Sequence, residues 1–342
     1  MAETILITIL PFLFIMTVVV TIHEAGHYWV ARWLGIKVEE FSIGFGPLLR
    51  RDQGKHNLWT IRALPLGGYV RFAETGEKSF RKASGLSRIT VAFAGPSFNI
   101  LASFVFFVAV FYAGLTWSST TILATVPGSG AQLADIHPGD RIVSINGVAI
   151  SSVDDLYAAS HFGDPDGIDR FQLDRSGSLM ELDVLKADGK YGLVFNREHA
   201  RSDLPKSFVL AMKQMVSASV GIFNIPALVY SMGGNPIEVF SGPVGIAHVT
   251  GKAVQSEEAL LTVLLLLAHL NLGLALVNLL PVPLFDGGRI LLYAIESCVK
   301  KPASRSVENA LAGISVAVIA FTGILVTWSD LQKIILLSFP TP

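Results

Sequence analysis

His23-Glu24-Ala25-Gly26-His27 is an H-E-x-x-H motif inside a stretch otherwise built to cross a membrane. From Ile5 to Val20 the chain is almost wholly apolar, and it continues apolar through Tyr28, Trp29 and Val30. Ionisable groups at membrane depth are costly and by default mark a functional site. Residues four apart share a helix face, so His23 and His27 can grip one metal ion while Glu24 stands beside it. That set suits metal-assisted hydrolysis, in which the ion acidifies a water and polarises a peptide carbonyl while the carboxylate moves the proton. A removable signal peptide is disfavoured: no basic segment precedes Ile5, and no small-residue cleavage pattern precedes the motif.

A catalytic zinc normally has three protein ligands and one open position for water. The third candidate is Asp286, in Asn278-Leu-Leu-Pro281-Val-Pro283-Leu-Phe285-Asp286-Gly287-Gly288. Pro281 and Pro283 remove backbone donors and end a helix, and the two glycines let the chain turn tightly. Irregular backbone at membrane depth is tolerated only where protein packs on it or it lines a wet cavity. Two histidines and a carboxylate accommodate several divalent metals, zinc among them.

The elements that must position these residues follow from hydropathy. Of 342 residues, 51% are hydrophobic and 15% charged, and the mean hydropathy is +0.54. This fits a polytopic α-helical membrane protein. Spans are expected near 5–34, 89–116, 259–284 and 308–328, with 207–232 an amphipathic helix lying at the interface. The net charge of −1 and the absence of a basic, aromatic-interleaved patch speak against nucleic acid as a partner. Cys298 is the only cysteine, which excludes an intrachain disulfide and a cysteine-rich metal site.

The loop after the first span carries Lys37, Arg50, Arg51, Lys55, Arg62, Arg71, Lys78, Arg81, Lys82 and Arg88, and the loop after the third carries Lys300, Lys301 and Arg305. The positive-inside rule therefore puts both loops in the cytoplasm and residues 117–258, with both termini, outside. The H-E-x-x-H pair and Asp286 then both fall at inner ends of spans, two crossings apart, so they can meet.

Residues 37–72 are β-rich and punctuated by glycine and proline, as hairpins require. Residues 120–200 read as a small α/β module, with turns at Pro138-Gly139-Asp140 and Asn146-Gly147 flanking a short strand, Arg141–Ile145. His56, His137, His161 and His199 fall in polar loops and read as surface groups. His269, inside the third span, reads as an interhelical hydrogen-bonding group.

Together, the first-span motif and the Asn278–Gly287 segment resemble the two signatures of the site-2 protease family, most closely its bacterial RseP type. Gly44-Phe45-Gly46-Pro47, Pro65-Leu66-Gly67-Gly68-Tyr69-Val70, Ala94-Gly95-Pro96-Ser97-Phe98-Asn99 and Ser241-Gly242-Pro243-Val244-Gly245-Ile246-Ala247 extend the likeness over nearly the whole chain. Phe285 stands where the family usually has leucine. The outer region also has room for one PDZ-like module where the best-known members carry two.

The resemblance implies an intramembrane zinc metalloprotease of the bacterial inner membrane. His23, His27 and Asp286 would hold Zn2+, Glu24 would act as the base, and Asn278, Pro281 and Pro283 would face substrate. Its substrates would be single-pass membrane proteins already trimmed on the outer side, such as an anti-sigma factor or a remnant signal peptide. Four domains are expected. Residues 1–116 hold two spans and a re-entrant β-sheet at 37–72, and 117–200 form an extracytoplasmic PDZ domain. A periplasmic linker, 201–258, leads to the last two spans in 259–342. The alternative is a membrane scaffold that binds transmembrane helices without cutting them, although a pure binder has no use for Glu24.

Overall fold

Among the described residues, four helices are long and apolar enough to cross a membrane: Leu6–Trp33, Gly85–Ala113, Ala259–Asn278 and Gly313–Gln332. They belong to a computed structural model that describes residues 5–54, 57–114, 116–150, 156, 167–187, 190–199, 201–231, 241–300 and 304–338. In chain order, a π-helical turn at Ile5–Ile9 leads into α1 (Leu10–Trp33), β1 (Val38–Gln53), β2 (Leu58–Phe72) and α2 (Gly85–Ala113). Then come β3 (Thr116–Thr125), α3 (Gly130–Leu133), β4 (Arg141–Ile145), β5 (Val148–Ala149), β6 (Ile168–Arg175), β7 (Ser178–Leu185) and β8 (Leu193–His199). The chain closes with α4 (Leu204–Ser231), α5 (Pro243–Val254), α6 (Ala259–Asn278), α7 (Asp286–Val299) and α8 (Arg305–Ser338).

The chain divides into two compact units. One comprises Met1–Tyr112, Asp203–Ser219 and Ser241–Pro342; the other comprises Ala113–Ser202 and Val220–Phe240. In the first, Ile15 and Val19 of α1 pack against Leu267 of α6, with Phe106 of α2 alongside. Between lipid-facing helices such packing, rather than expulsion of water, supplies the attraction. The Ser241–Ala247 segment has a structural task here. Gly242 and Gly245 donate their backbone N–H groups to the buried Asp330 of α8 at 2.8 Å each, so a carboxylate caps the start of α5.

The β-rich region forms a two-stranded ribbon folded back on itself. The first half of β1, from Val38 to Ile43, registers against Phe72–Gly68 on one side and Leu58–Ile61 on the other. Its second half pairs Leu48 with Arg62 and Gln53 with Leu58. The sheet thus has four short rows, with 68–72 at one edge. Glu40, buried in the inner row 38–43, holds the rows on either side of it. It accepts from Thr60 at 2.8 Å and Arg62 at 3.1 Å on one side, and from Tyr69 and Arg71 at 2.9 Å each on the other. Burial pushes its carboxyl up, but these donors outweigh that and leave it below its ordinary value.

Several expected boundaries differ: the second span starts at Gly85 rather than 89, and the fourth is Gly313–Gln332 rather than 308–328. The third span ends at Asn278 rather than 284, because Pro281 and Pro283 forbid continuation, and α7 starts afresh at Asp286. The second ends at Ala113, since Gly114 turns the chain at φ +85° into β3. An α-helix does form at Leu204–Ser231, close to the expected 207–232. His56 and His161 lie outside the described residues, His137 is exposed, and nothing is described of the His199 side chain.

In the second unit the strand order is β7-β6-β4-β3-β8, with β5 paired to β4. Ile122, Ile142, Ile145, Phe171, Leu173 and Val184 fill its core. Left-handed Asn146 and Gly147 make the β4–β5 turn, and Ser176 and Gly177 make the β6–β7 turn. Buried Asp140 receives Arg175 through both carboxylate oxygens, at 2.7 and 2.6 Å, and the His137 N–H at 2.9 Å. Burial raises its carboxyl, yet Arg175 and the His137 amide hold it below the usual aspartate range. With the folded value depressed, the stabilisation is complete above the ordinary aspartate value and is lost as pH falls through the folded one. In the full-length protein, Asp140→Asn should speed hydrogen exchange of β4 and β6 amides at pH 7, the loss being about 1.5–3 kcal/mol. The gap from wild type should narrow as pH falls below the ordinary aspartate value and close below the folded one; a gap independent of pH would refute the assignment.

Candidate metal centre

α1 presents its motif as the sequence leads one to expect. His23 and His27 are both buried, one helical turn apart, and Glu24, next to His23 in the chain, is half-buried. Asp286, the first residue of α7, meets the two rings. His23 Nε2 and His27 Nε2 lie 3.0 and 3.3 Å from Asp286 Oδ2, and 3.2 Å from each other. These three residues are the one cluster of metal-ligating type found among the described residues.

The spacing tests whether an ion fits. Zinc bonds to nitrogen and oxygen of ~2.0–2.1 Å in a tetrahedron require ligand atoms about 3.3–3.4 Å apart. The observed edges of 3.0–3.3 Å come close to that. The His27 ring also donates from Nδ1 to the Val91 carbonyl at 2.7 Å, which leaves its Nε2 with a free lone pair pointing at Asp286. Asp286 Oδ2 is buried and makes no hydrogen bond of proper geometry. Imidazole and carboxylate donors that converge in a buried site without a proton between them repel one another, and a divalent cation among them removes that repulsion. The residues present fit a zinc-like ion.

Three elements hold this geometry. The first is α2, which crosses α1 backbone to backbone. A Cβ on Gly26 would overlap the Ala94 carbonyl oxygen, and a Cβ on Gly95 would overlap His27 Nε2 and come within 2.8 Å of His23 Cε1. The second is the turn before α7. Its amides bond locally, Val282 to Leu280 O at 2.7 Å and Phe285 to Val282 O at 2.8 Å. Cβ atoms on Gly287 and Gly288 would collide with the Leu279 and Val282 carbonyls, so Asp286 reaches the rings only because glycines follow it. The far part of α7 is fixed to α2 by Arg88, which pairs with buried Glu296 at 2.8 Å and covers the Tyr293 ring at 4.7 Å.

The third element is β2. Thr17 of α1 donates to the Pro65 carbonyl at 2.7 Å, and Tyr28 donates to Asn57 at 2.9 Å. Between these anchors a Cβ on Gly68 would come 3.6 Å from Glu24 Cγ, so the edge row of the sheet runs past the carboxylate.

The remaining expected residues are not at the ligand atoms. Asn278 ends α6, and one of its amide hydrogens goes to Leu274 O of its own helix at 3.1 Å. Pro281 and Pro283 shape the turn that delivers Asp286. His269 differs from the expected interhelical hydrogen bond: its ring bonds Leu265 O of its own helix at 2.9 Å and meets α2 by stacking edge-on against Phe107. Val91, Gly95 and Asn99 contribute to the site without having been assigned a role by the motifs above. Their spacing of four along α2 puts them on one face, and the small and polar residues at 95 and 99 were the available signal.

The profile of peptidase family M50 matches residues 11–322. The chain belongs to peptidase family M50. That membership makes it a metalloprotease, and four apolar helices make it multi-pass. Its relatives include metalloprotease MmpA of Caulobacter vibrioides, 30% identical over 96% of either chain. A protein of Brucella suis, provisionally named a zinc metalloprotease, is 31% identical over 96% of this chain and 97% of its own. One of Mesorhizobium japonicum, named likewise, is 32% identical over 95% of this chain and 98% of its own.

For this M50 peptidase the crossing at Gly95 is decisive. Gly95→Ala would drive a methyl into both imidazoles, and metal affinity should fall by at least ~10-fold. Metal retained after dialysis against a chelator measures this, and wild-type retention would refute the close crossing.

Proposed function

We propose that this protein is an intramembrane zinc endopeptidase that cuts within the transmembrane segment of single-pass proteins already shortened on the outer side. The observation that carries the reading is the buried meeting of His23, His27 and Asp286 beside Glu24, on a helix apolar enough to lie in the bilayer. His23, His27 and Asp286 would hold the zinc. A bound zinc supplies Lewis acidity, acidifying water and polarising a peptide carbonyl.

The chain's own residues do the rest. Glu24 takes the proton of the attacking water and returns it to the leaving nitrogen. The edge row 68–72, beside Glu24, offers backbone donors and acceptors to an unwound substrate, which binds by strand addition. Such pairing answers the main physical difficulty: a helical substrate hides its carbonyls in its own hydrogen bonds, and in lipid they cannot be released unpaired. Asn278, at the end of α6, supplies a side-chain donor toward substrate once its amide leaves Leu274 O, and Pro281 and Pro283 line the approach.

Residues 117–200 are read as an extracytoplasmic PDZ domain. The five-strand path with its Asn146-Gly147 turn supports that reading, and so does the distribution of basic residues around the spans. The domain would exclude substrates that still carry bulky outer parts. Location in a bacterial inner membrane, and a role in regulated proteolysis of anti-sigma factors or remnant signal peptides, complete the proposal.

Purified wild type should cut a single-pass reporter pre-trimmed on its outer side, and Glu24→Gln should cut it ~10²–10⁴-fold more slowly. Because Glu24 is not among the converging ligands, the variant should bind zinc as wild type does. If both proteins bound a panel of reporters and neither cut any, a helix-binding scaffold would replace this reading.

A further inference from the structure

The two histidines have unequal partners. His27 Nδ1 faces a backbone carbonyl, which can only accept, so its proton sits on Nδ1 and its Nε2 is free. His23 Nδ1 faces the carboxamide of Asn99, with Nδ2 at 3.3 Å. Asn99 is fully buried in α2, one turn beyond Gly95 and two beyond Val91. One face of α2 thus gives a carbonyl to His27, room to both rings and an amide to His23.

With Nδ2 turned to the ring, His23 cannot serve as a ligand through Nε2. If Nδ1 bears the proton, two donors face each other; if it does not, the proton occupies Nε2. A half-turn of the carboxamide exchanges its nitrogen and oxygen without changing its shape. That rotation breaks no other bond, since Oδ1 is buried and without a hydrogen-bond partner. We propose that Asn99 is a positioning residue for the metal centre: it presents Oδ1 to the His23 Nδ1–H, and so holds the Nε2 lone pair on the ion. Ligating histidines generally carry such an acceptor on their second nitrogen, which fixes the tautomer and the ring plane. The inference rests on the metal-centre reading above and adds a residue to it.

The test uses the full-length protein in detergent and measures zinc affinity by competition with a chromophoric chelator at neutral pH. Asn99→Leu removes the acceptor at similar shape, and Asn99→Asp offers acceptors only. Wild type should bind tightly, Asn99→Leu ~10–100-fold more weakly, and Asn99→Asp within about threefold of wild type. Thermal unfolding of the metal-free proteins shows whether each variant is folded. Should Asn99→Leu fail to fold, Asn99→Asp decides alone, because a carboxylate cannot replace an amide that acts as donor. Wild-type affinity in a folded Asn99→Leu, or a tenfold or greater loss in Asn99→Asp, would overturn the proposal. Absence of zinc binding by wild type would instead overturn the metal-centre reading itself.

Discussion

Three electron-pair donors meet within 3.3 Å of one another inside an apolar bundle, and the rest of this unit is arranged to keep them there. Left to themselves, two imidazole lone pairs and a carboxylate separate or take up a proton. Separation is blocked from three sides. α1 fixes His23 and His27 a turn apart, α2 presses its backbone at Gly95 against both rings, and the 279–285 turn thrusts Asp286 at them. The scaffold accepts this repulsion because a divalent ion turns it into binding energy. Preorganising the donors reduces what must be ordered when the ion arrives.

Glycine is the means of that closeness. Gly26 against Ala94, Gly95 against the two imidazoles, and Gly287 and Gly288 against the carbonyls of the preceding turn are contacts where a Cβ has no room. Lipid gives helices little reason to associate, so close backbone approach and hydrogen bonds must supply the attraction. The Arg88–Glu296 pair adds a largely buried charged clamp between α2 and α7. The same economy appears at α5, where one carboxylate, Asp330, captures the two amides of Gly242 and Gly245.

Much of this was legible in the chain, because the physics involved is local. His23 and His27 announce a metal face by their spacing, and Pro281 and Pro283 announce the end of a helix by their missing donors. Asn146-Gly147 marks a tight turn by its backbone preference. What escaped was long-range. Nothing in the sequence says that Gly95 lies under the histidines rather than against lipid, since a glycine four residues before an asparagine suits either placement. α7 was hidden behind the Asp286 motif: beyond Asp286, its other buried acid, Glu296, pairs with Arg88, 208 positions away. The folded-back register of β1 and β2 escaped for the same reason, because the bond from Tyr69 to Glu40 joins rows that alternation alone does not order.

α1 carries two jobs that elsewhere could be separate, and this follows from working in lipid. It holds both histidines, and through Thr17, Gly68 and Tyr28 it also fixes the height of the edge row against Glu24. On the proposed function, a substrate carbonyl that leaves its own helix must be paired at once, since an unpaired one in lipid costs several kcal/mol. A strand edge that wandered relative to the base would offer that pairing at the wrong peptide bond. Tying the strand to the helix that bears Glu24 makes the register of pairing and the position of proton transfer the same variable. Glu40, by locking the rows on either side to its own, keeps that variable fixed.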